Sequence, residues 1–489
     1  MFKRALTTVS GAKKPFRLAV VGSGPAGFYT SHRLLKDHMD THIDMFDSLP
    51  IPHGLVRYGV APDHPEVKNV MTTFDKVAED DRFRFFGNVT IGGGDNSSDN
   101  NNNGTKNITV RELEQFYDAI LFSYGASEDR QLGIPGEDAY GSSSARTFVG
   151  WYNGLPRDRD LQLPLEDTDT AVIIGQGNVA LDVARVLLSP IDELRKTDIT
   201  EYALEALSKS RIEHVHVVGR RGPLQVSFTA KELREQLKLP NVRFEADHAW
   251  IHQQIQQHQD YLNKSRPLKR LMSLLDTTKK DNHGDKSWHL KFLKSPVEIL
   301  TTHHHQQQHK DVVKGIRYEI NQLEGSIEKQ RAIGTGKFET QECGLVLRSI
   351  GYKSLPMEGI PFDHQRGLVP NTYGRIIDHD KNILPGKYTA GWLKRGPTGV
   401  IVSTMSDAYE TADTILEDIK NNAPFLSSTN SNSNHNDDDL LHLLNRRQIR
   451  YVTYKDWKKI ELAEFEIGKK LGKPREKFTS IDDMLNVLD

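Results

Sequence analysis

The chain has 489 residues, which corresponds to roughly three domains of ordinary size or two large ones. Apolar residues make up 37% of it and charged residues 27%, a composition that can bury a substantial core and that excludes disorder throughout. Lysine and arginine total 64 against 66 acidic residues, so the formal net charge of -2 provides no general attraction to nucleic acid, which is not expected as a partner.

A single cysteine, Cys343, limits the redox chemistry that side chains could perform. It excludes an internal disulfide framework, a multi-cysteine zinc or iron–sulfur site and a CxxC redox pair. If the protein moves electrons, a bound cofactor must carry them. No apolar run approaches the ~18 residues needed to cross a bilayer, so we expect at most a peripheral association with a membrane.

Residues 1–14 are expected to be a mitochondrial presequence. No acidic residue precedes Asp37, whereas lysines, arginines, Thr7, Thr8 and Ser10 are interspersed. The alternative interpretation is an ordinary basic, frayed terminus.

Three polar tracts interrupt the chain, at residues 92–107, 303–310 and 427–439. They cannot bury enough apolar surface to fold and are predicted to be surface loop insertions. The histidine run from His303 is interpreted as low complexity because glutamines flank it, and no metal is expected.

A first nucleotide-binding motif follows the apolar run at residues 16–22. Gly22, Gly24 and Gly27 have the GxGxxG spacing, which lets the backbone turn tightly and approach a pyrophosphate, and a helical pattern follows them. Phosphates would lie on the N-terminus of that helix, where free N–H groups favour negative charge. The next predicted strand ends on Asp47, whose carboxylate can bind ribose hydroxyls. This context predicts a bound dinucleotide.

A second motif, of the GxGxxA type, runs from Gly175 to Ala180 between another apolar run and another helical pattern. The strand expected beside the ribose is followed by Arg220 and Arg221 instead of an acid. Guanidinium groups bind a phosphate bidentately, so NADP(H) is favoured over NAD(H), and a solvated basic turn is the alternative. The interval from Gly175 to Arg220 exceeds the usual ~20 residues, which predicts a helical insertion at residues 197–210.

Two dinucleotide sites predict an α/β fold with two Rossmann-like domains. On a chain with one cysteine they indicate a flavoprotein that holds FAD at one site and takes NADPH as hydride donor at the other. Disulfide reductases of this architecture need a cysteine pair beside the flavin, which this chain lacks.

Several long strings have no generic structural explanation: GSGPAGFYT from Gly22, HGLVRYGVAPDHPEVKNV from His53, GQGNVALDVAR from Gly175, GRRGPLQVSFTAKELRE from Gly219, RSIGYKS from Arg348 and GWLKRGPTGVI from Gly391. Together they resemble the family of mitochondrial NADPH:adrenodoxin (ferredoxin) reductases, from about Phe16 to the C-terminal GKPREKFTSIDDML. The resemblance implies a glutathione-reductase-type fold in which an FAD domain is split between residues 15–129 and 342–489. The NADP domain, residues 130–341, is inserted in it.

The resemblance also implies cofactor contacts. Besides the glycines of the first motif, the implied FAD contacts are Ala26, Asp47, Leu55, Ile91, Trp392, Gly399, Val400 and Ile401. The implied NADPH contacts are Gln176, Gly177, Asn178, Val179, Arg220, Arg221, Glu232 and Gly399. Two residues depart from the family pattern: Asp47 stands where many relatives have Glu, and His53 stands where an aromatic residue is expected.

Hydride transfer needs no proton-shuttling side chain, so we expect positioning to dominate catalysis. Pro397, Thr398 and Gly399 are predicted to start an amphipathic helix whose N-terminus faces the flavin and stabilises its reduced form. The candidates for orienting the nicotinamide or relaying a proton are His64, Glu66, Asp182 and Glu232. For His64 the alternative is a loop-packing role.

The family implies an acidic, mitochondrial [2Fe-2S] ferredoxin as one-electron acceptor, supplying iron–sulfur cluster assembly, haem or sterol-type hydroxylation pathways. The implied location is the mitochondrial matrix, with peripheral contact to the inner membrane. A basic stretch with Arg266, Lys269 and Arg270, together with Arg234, is the expected docking surface, and a solvated face is the alternative.

Two other functions stay open at this point. One is another NADPH-dependent flavoprotein with two dinucleotide sites, such as a monooxygenase or an electron-input subunit. The other is a non-catalytic NADPH-sensing module.

Overall fold

The computed structural model describes residues 14–93, 107–277, 284–303, 311–426 and 438–489. The expected presequence, apart from its last residue, and most of each polar tract lie outside these described residues. Within them the chain forms two α/β domains, each built around its own sheet.

The first sheet has seven strands. Five parallel strands lie in the order Ile383–Thr389, Ala119–Phe122, Phe16–Val21, Thr41–Phe46 and Phe83–Phe86. Two antiparallel strands, Asn371–Thr372 and Arg375–Ile377, complete one edge.

Apolar cores cover both faces of the first sheet. Leu18 and Val20 belong to one buried cluster, whereas Ala19 and Val21 belong to the other. Because both faces are covered, the central strand is apolar at every buried position, as is usual for parallel strands. The helices of this domain are Pro25–Asp37, Leu55–Tyr58, Pro65–Lys68, Met71–Ala78, Val110–Leu113, Trp392–Arg395, Ile401–Lys420, Asp438–Arg446, Tyr454–Lys470 and Ile481–Asn486.

The second sheet has six parallel strands. Their order is Val242–Ala246, Lys286–Lys291, His214–Val218, Thr170–Ile174, Leu345–Arg348 and Ser142–Ser144. The helices of this domain are Ala145–Asn153, Asn178–Leu188, Ile191–Leu194, Glu201–Ser208, Ala230–Leu237, His248–Gln257, Gln259–Asn263 and Arg266–Thr277, with 3-10 turns at Pro156–Asp158 and Pro223–Gln225. The helix Glu201–Ser208 confirms the predicted helical insertion.

A three-stranded antiparallel sheet follows in the same domain, with strands Lys294–His303, Asp311–Glu324 and Arg331–Glu342. Its last strand is an edge and is exposed along most of its length.

The chain crosses between the two domains twice, and the two crossings pair with each other. Glu128–Asp129 and Tyr352–Lys353 form an antiparallel two-stranded ladder. The strand Leu345–Arg348 still pairs with Thr170–Ile174 in the second sheet, so the return crossing lies after Arg348, a few residues beyond the expected boundary at residue 342. The second domain is thus inserted in a split first domain. In the described part of the chain, no helix is long and apolar enough to cross a membrane.

Candidate functional site

The first glycine loop joins the strand Phe16–Val21 to the helix Pro25–Asp37. Gly22 has φ +105°, and a Cβ there would lie 2.6 Å from the Tyr124 Cα, so the turn requires glycine. A Cβ on Gly27 would lie 2.5 Å from the Gly22 carbonyl oxygen, so glycine allows the helix to pack close to the loop. A Cβ on Gly24, in contrast, would have no neighbour within 4 Å.

The open space at Gly24 adjoins a helix N-terminus that no side chain caps. Free N–H groups and the helix dipole favour a phosphate at such a position. Gly54 lies against the same loop, because a Cβ on it would be 3.2 Å from the Gly24 Cα, and it leads into the helix that begins at Leu55. These residues fit the pyrophosphate of a dinucleotide.

Asp47 follows the strand Thr41–Phe46 and is fixed against the first glycine loop. Its Oδ2 accepts hydrogen bonds from the backbone N–H and the hydroxyl of Ser23, at 2.9 and 2.6 Å, and its Oδ1 accepts one from the Leu49 N–H at 3.0 Å. Burial raises the pKa of Asp47, and the hydrogen bonds from Ser23 and Leu49 oppose this shift. The carboxylate therefore has one orientation at the place expected for a ribose-binding acid.

Two other predicted FAD contacts lie in different surroundings. Trp392 begins a short helix that starts against the first loop, because a Cβ on Gly391 would lie 2.6 Å from the Ala26 Cβ. The Trp392 ring lies 5.2 Å from the ring of Tyr352, in one of the two crossings. Ile91 is buried in a core cluster on one face of the first sheet, where its side chain packs.

The long helix Ile401–Lys420 begins at Ile401, so the prediction that Pro397 to Gly399 start it is wrong. Val400 is the N-cap residue and has extended backbone, and Gly399 has φ +81°, outside the helical region. Proline and glycine here shape the loop that precedes the helix.

Arg395 lies over the start of this helix and was missed by the sequence analysis. Its guanidinium donates to the Thr398 carbonyl oxygen and, at 3.2 and 3.0 Å, to the hydroxyls of Ser403 and Thr404. A basic residue between Gly391 and Pro397 was the available signal. The helix N-terminus and this guanidinium together make the loop positive.

The second glycine loop repeats the geometry of the first, between the strand Thr170–Ile174 and the helix Asn178–Leu188. Gly175 has φ +121°, and a Cβ there would lie 2.1 Å from the Ser349 carbonyl oxygen. A Cβ on Gly177 would have no neighbour within 4 Å, and no side chain caps the helix that follows. This loop fits a second phosphate group.

Two predicted NADPH contacts brace the second loop through their side chains. Gln176 Nε2 donates to the Lys291 carbonyl oxygen at 2.8 Å, and Asn178 Oδ1 accepts from the Thr229 N–H at 2.9 Å. Val179 packs against the main core of the second domain.

Arg220 and Arg221 follow the strand His214–Val218, which pairs in parallel with Thr170–Ile174 beside the second loop. Arg220 is exposed and Arg221 is half-buried. Among the described residues, neither guanidinium has a hydrogen-bond or ion-pair partner, so both charges are available to a ligand phosphate.

His64, Asp182 and Glu232 lie together at the junction of the two domains. A ring nitrogen of His64 and one carboxylate oxygen from each of the two acids all lie within 4.8 Å of one another. His64 precedes the helix Pro65–Lys68 of the first domain, whereas the two acids belong to the second-loop helix and to the helix Ala230–Leu237. Glu66, a further candidate, is outside this group and pairs with Lys231 at 2.8 Å.

Arg185 is the centre of this cluster and was missed by the sequence analysis. Its side chain is 4% exposed, and its Nη2 lies 2.8 Å from Asp182 Oδ1 and 3.1 Å from His64 Nε2. Its Nε lies 2.5 Å from Asp63 Oδ2, across the domain junction. The signal was an arginine one turn after Asp182 within an otherwise apolar stretch of helix.

The surroundings raise the pKa of both acids of the cluster. Burial, Asp182 and Glu235 raise the pKa of Glu232 to about 8, against the opposing effect of Arg185. Burial also raises the pKa of Asp182. Glu235 Oε2 lies 2.7 Å from His64 Nε2, and its side chain is 30% exposed. Since the Arg185 guanidinium already supplies a positive charge, the cluster suits a transferable proton better than a metal cation.

The predicted docking residues are on the surface of the second domain. Arg266, Lys269 and Arg270 are exposed on the helix Arg266–Thr277, whose Leu271, Met272 and Leu275 are buried. This helix packs against the helix that carries Arg234, which is half-buried. Among the described residues, Lys269 alone of these four makes a side-chain hydrogen bond, to Asn263 Oδ1 at 2.8 Å, so the surface keeps its positive charge.

This chain is similar to known proteins along nearly its whole length. A family model described as pyridine nucleotide-disulphide oxidoreductase matches residues 16–251. Curated relatives named mitochondrial NADPH:adrenodoxin oxidoreductase are 46% identical in Salvelinus fontinalis, covering 99% of this chain and 93% of the relative, and 44% identical in Homo sapiens, covering 98% and 93%. The relative from Arabidopsis thaliana is 40% identical and covers 97% of this chain and 96% of its own.

A solved structure of Mycobacterium tuberculosis FprA in complex with NADPH is 38% identical, with a TM-score of 0.83 over 97% of this chain and 99% of that chain. Both the sequence similarity and the shared fold extend across both domains. The chain belongs to the family of mitochondrial NADPH:adrenodoxin oxidoreductases.

Proposed function

We propose that this chain is a mitochondrial flavoenzyme that takes a hydride from NADPH and passes the electrons one at a time to a [2Fe-2S] ferredoxin. The observation that carries the proposal is the pair of glycine loops on two separate sheets, each with open space at an uncapped helix N-terminus. Family membership supports the choice of NADPH and ferredoxin as substrates.

FAD at the first loop supplies the change from two-electron to one-electron transfer. In the overall reaction, NADPH and two oxidised ferredoxins give NADP⁺, two reduced ferredoxins and one proton. The side chains therefore bind and orient both cofactors and carry the released proton to solvent.

Asp47 and the arginine pair distinguish the two cofactor sites. Asp47, held by Ser23, accepts hydrogen bonds from the FAD ribose hydroxyls. Arg220 and Arg221 bind the 2′-phosphate that separates NADPH from NADH, and their lack of partners among the described residues supports this role. Trp392 and the loop of Gly399 would hold the flavin, and Arg395 with the helix start would stabilise negative charge on it.

The cluster of His64, Asp182 and Glu232 orients the nicotinamide. Arg185 fixes Asp182 and His64 in place from the second domain. Glu235, which contacts His64 and is partly exposed, gives the released proton a path from the cluster to solvent.

The ferredoxin docks on the basic surface of Arg234, Arg266, Lys269 and Arg270. An acidic partner is drawn to such a surface by charge complementarity. The protein acts in mitochondria, and its curated relatives are named as mitochondrial proteins. We further propose a peripheral location at the surface of the inner membrane.

The test is anaerobic stopped-flow mixing of the purified yellow protein with NADPH and a mitochondrial ferredoxin. We expect the flavin absorbance to bleach on mixing with NADPH, and ferredoxin to be reduced in a second phase. A flavin that does not bleach would indicate a sensing module. Rapid oxygen consumption without ferredoxin reduction would indicate a monooxygenase.

A further inference from the structure

The helix Tyr454–Lys470 presents an exposed face that no part of the proposed reaction uses. Five lysines lie on it, together with Leu462, Phe465 and, just after the helix, Leu471. These apolar side chains are 57%, 41% and 44% exposed. We call this the lysine face, formed by Lys455, Lys458, Lys459, Leu462, Phe465, Glu466, Lys469, Lys470 and Leu471.

The opposite side of the helix is firmly held in the first domain. Trp457 and Ile460 are fully buried, and Glu464 is fully buried against two arginines. Its Oε1 lies 2.5 Å from Arg57 Nη2, and its Oε2 lies 3.3 Å from Arg475 Nη1. The lysine face is therefore held in a fixed position on the first domain.

The lysine face carries an excess of positive charge, because its five lysines stand against one exposed acid on the same face, Glu466. Lys458 pairs with Glu461 and lies 3.4 Å from Asp75, and Lys459 lies 2.7 Å from Asp456. Lys455, Lys469 and Lys470 are exposed and have no ion-pair partner among the described residues. The chain as a whole has a net charge of -2, so this excess is local.

We infer that the lysine face binds the anionic surface of a lipid bilayer. Helices of this kind lie in the plane of the membrane interface, with apolar side chains at the acyl boundary and lysines among anionic headgroups. Lysines with exposed leucine and phenylalanine side chains among them are the combination by which a helix binds at an anionic lipid interface. The inference rests on the proposed peripheral location and names the surface responsible.

The helix carries none of the residues assigned to either cofactor or to the ferredoxin surface. Membrane contact through the lysine face therefore leaves the reaction site free. Binding should be sensitive to salt, because the headgroup attraction is electrostatic and is screened within a Debye length.

The experiment measures co-sedimentation of the FAD-loaded protein with phosphatidylcholine vesicles that contain or lack phosphatidylglycerol. We expect binding to the anionic vesicles alone. Replacing Lys455→Glu, Lys469→Glu and Lys470→Glu together should weaken binding at least about a hundredfold. Leu462→Ser with Leu471→Ser should weaken it while leaving its salt dependence.

Matched controls are the exposed lysines of the second domain, in the triple variant Lys314→Glu, Lys329→Glu and Lys337→Glu, and the exposed apolar pair Ile333→Ser with Ile383→Ser. Both should bind anionic vesicles as the unaltered protein does. Equal losses in the controls, or no binding of the unaltered protein to anionic vesicles, would overturn the inference.

Each variant is also assayed for NADPH-dependent reduction of soluble ferredoxin, which should be unchanged. A raised KM for ferredoxin in the lysine-face variant, with vesicle binding intact, would assign the face to ferredoxin and overturn the lipid assignment. Failure of the unaltered protein to reduce ferredoxin would contradict the proposed function alone, since vesicle binding is measured separately.

Discussion

Lys477, from the C-terminal segment of the first domain, forms a buried ion pair with Asp198 of the second domain, with 3.1 Å between Nζ and Oδ2. Lys68, also from the first domain, donates to both oxygens of the same carboxylate, at 2.6 Å to Oδ1 and 2.7 Å to Oδ2. Both lysine side chains are nearly or fully buried. One acid of the second domain is thus clamped by two separate segments of the first.

Replacing this acid should destabilise the protein strongly. Asp198→Asn leaves two buried lysines without a counter-charge, and we expect a loss of about 3–5 kcal/mol in the free energy of unfolding, measured by denaturant titration. Burial lowers the pKa of Lys477 well below its usual range, so its charged form is disfavoured in the folded protein. Lys477→Met should therefore cost less stability than Asp198→Asn. The exposed control Asp192→Asn should change stability by less than about 0.5 kcal/mol.

The contribution of Asp198 should also depend on pH in a defined direction. Burial alone would raise the pKa of Asp198, but Lys477 and Lys68 hold it well below its usual range. Its stabilising effect is therefore complete above the unfolded-state pKa of about 4 and is lost as the pH falls below it. The stability gap between the protein and Asp198→Asn should narrow only on acidification, and a gap that is constant down to strong acid would contradict the pairing.

Glu232 should show the opposite behaviour. Its folded-state pKa of about 8 lies above the unfolded value of about 4.3, so the folded state disfavours its charged form. Glu232→Gln should therefore raise the melting temperature, and the gain should grow as the pH rises from about 4.3 to about 8 and then level off. The exposed control Glu193→Gln should give no such trend, and a gain at acid pH alone would refute the shifted pKa.

The arginine pair should determine the choice of nicotinamide cofactor. Replacing Arg220→Ala and Arg221→Ala together removes two charge-assisted contacts to the 2′-phosphate. We expect the KM for NADPH to rise about a hundredfold in ferricyanide reduction, with the KM for NADH almost unchanged. The exposed Arg195→Ala serves as control. An equal loss with both cofactors would show that the pair does not read the phosphate.

Substitutions within the first glycine loop should separate binding from folding. Gly24→Ala places a methyl group in open space, so the melting temperature of the flavin-free protein should hold while the affinity for FAD falls about tenfold or more. In Gly22→Ala the new methyl group would collide with the Tyr124 backbone, and alanine would have to adopt an unfavourable positive φ. This variant should lose about 3 kcal/mol of stability with or without FAD. Retention of full FAD affinity by Gly24→Ala would place the pyrophosphate elsewhere.

The basic docking surface is tested by charge reversal. Arg266→Glu with Arg270→Glu should raise the KM for ferredoxin about tenfold at low salt and flatten its salt dependence. Direct reduction of ferricyanide should be spared, as should both activities in Lys314→Glu with Lys329→Glu. Parallel loss of both activities would indicate a folding defect instead of lost docking.

Much of the fold could be predicted from local signals. The glycine spacings, the apolar runs before them and the acid or arginines after the next strand all concern neighbouring residues, and the structure has a glycine turn at Gly22 and at Gly175. The helical insertion could be predicted because the interval before Arg220 was too long. These features follow from short-range backbone geometry.

Other features depend on contacts between distant segments. Arg185 contacts Asp63 across the domain junction, and Asp198 meets Lys477 from the far end of the chain. The periodic pattern of apolar residues along the chain does not indicate contacts between residues so far apart in sequence. The start at Ile401 also differs from the prediction, because the positive φ of Gly399 delays a helix that proline alone would permit at residue 397.

The two crossings between domains have a consequence for the autonomy of the second domain. The Arg130 N–H donates to the Gly351 carbonyl oxygen at 3.2 Å, so the domain begins and ends at neighbouring points. No strand of the first sheet comes from the chain between these residues, so the insertion leaves that sheet continuous. A domain that binds a different electron donor could therefore be inserted at the same point, provided that it also supplies partners for Lys68, Lys477 and Asp63.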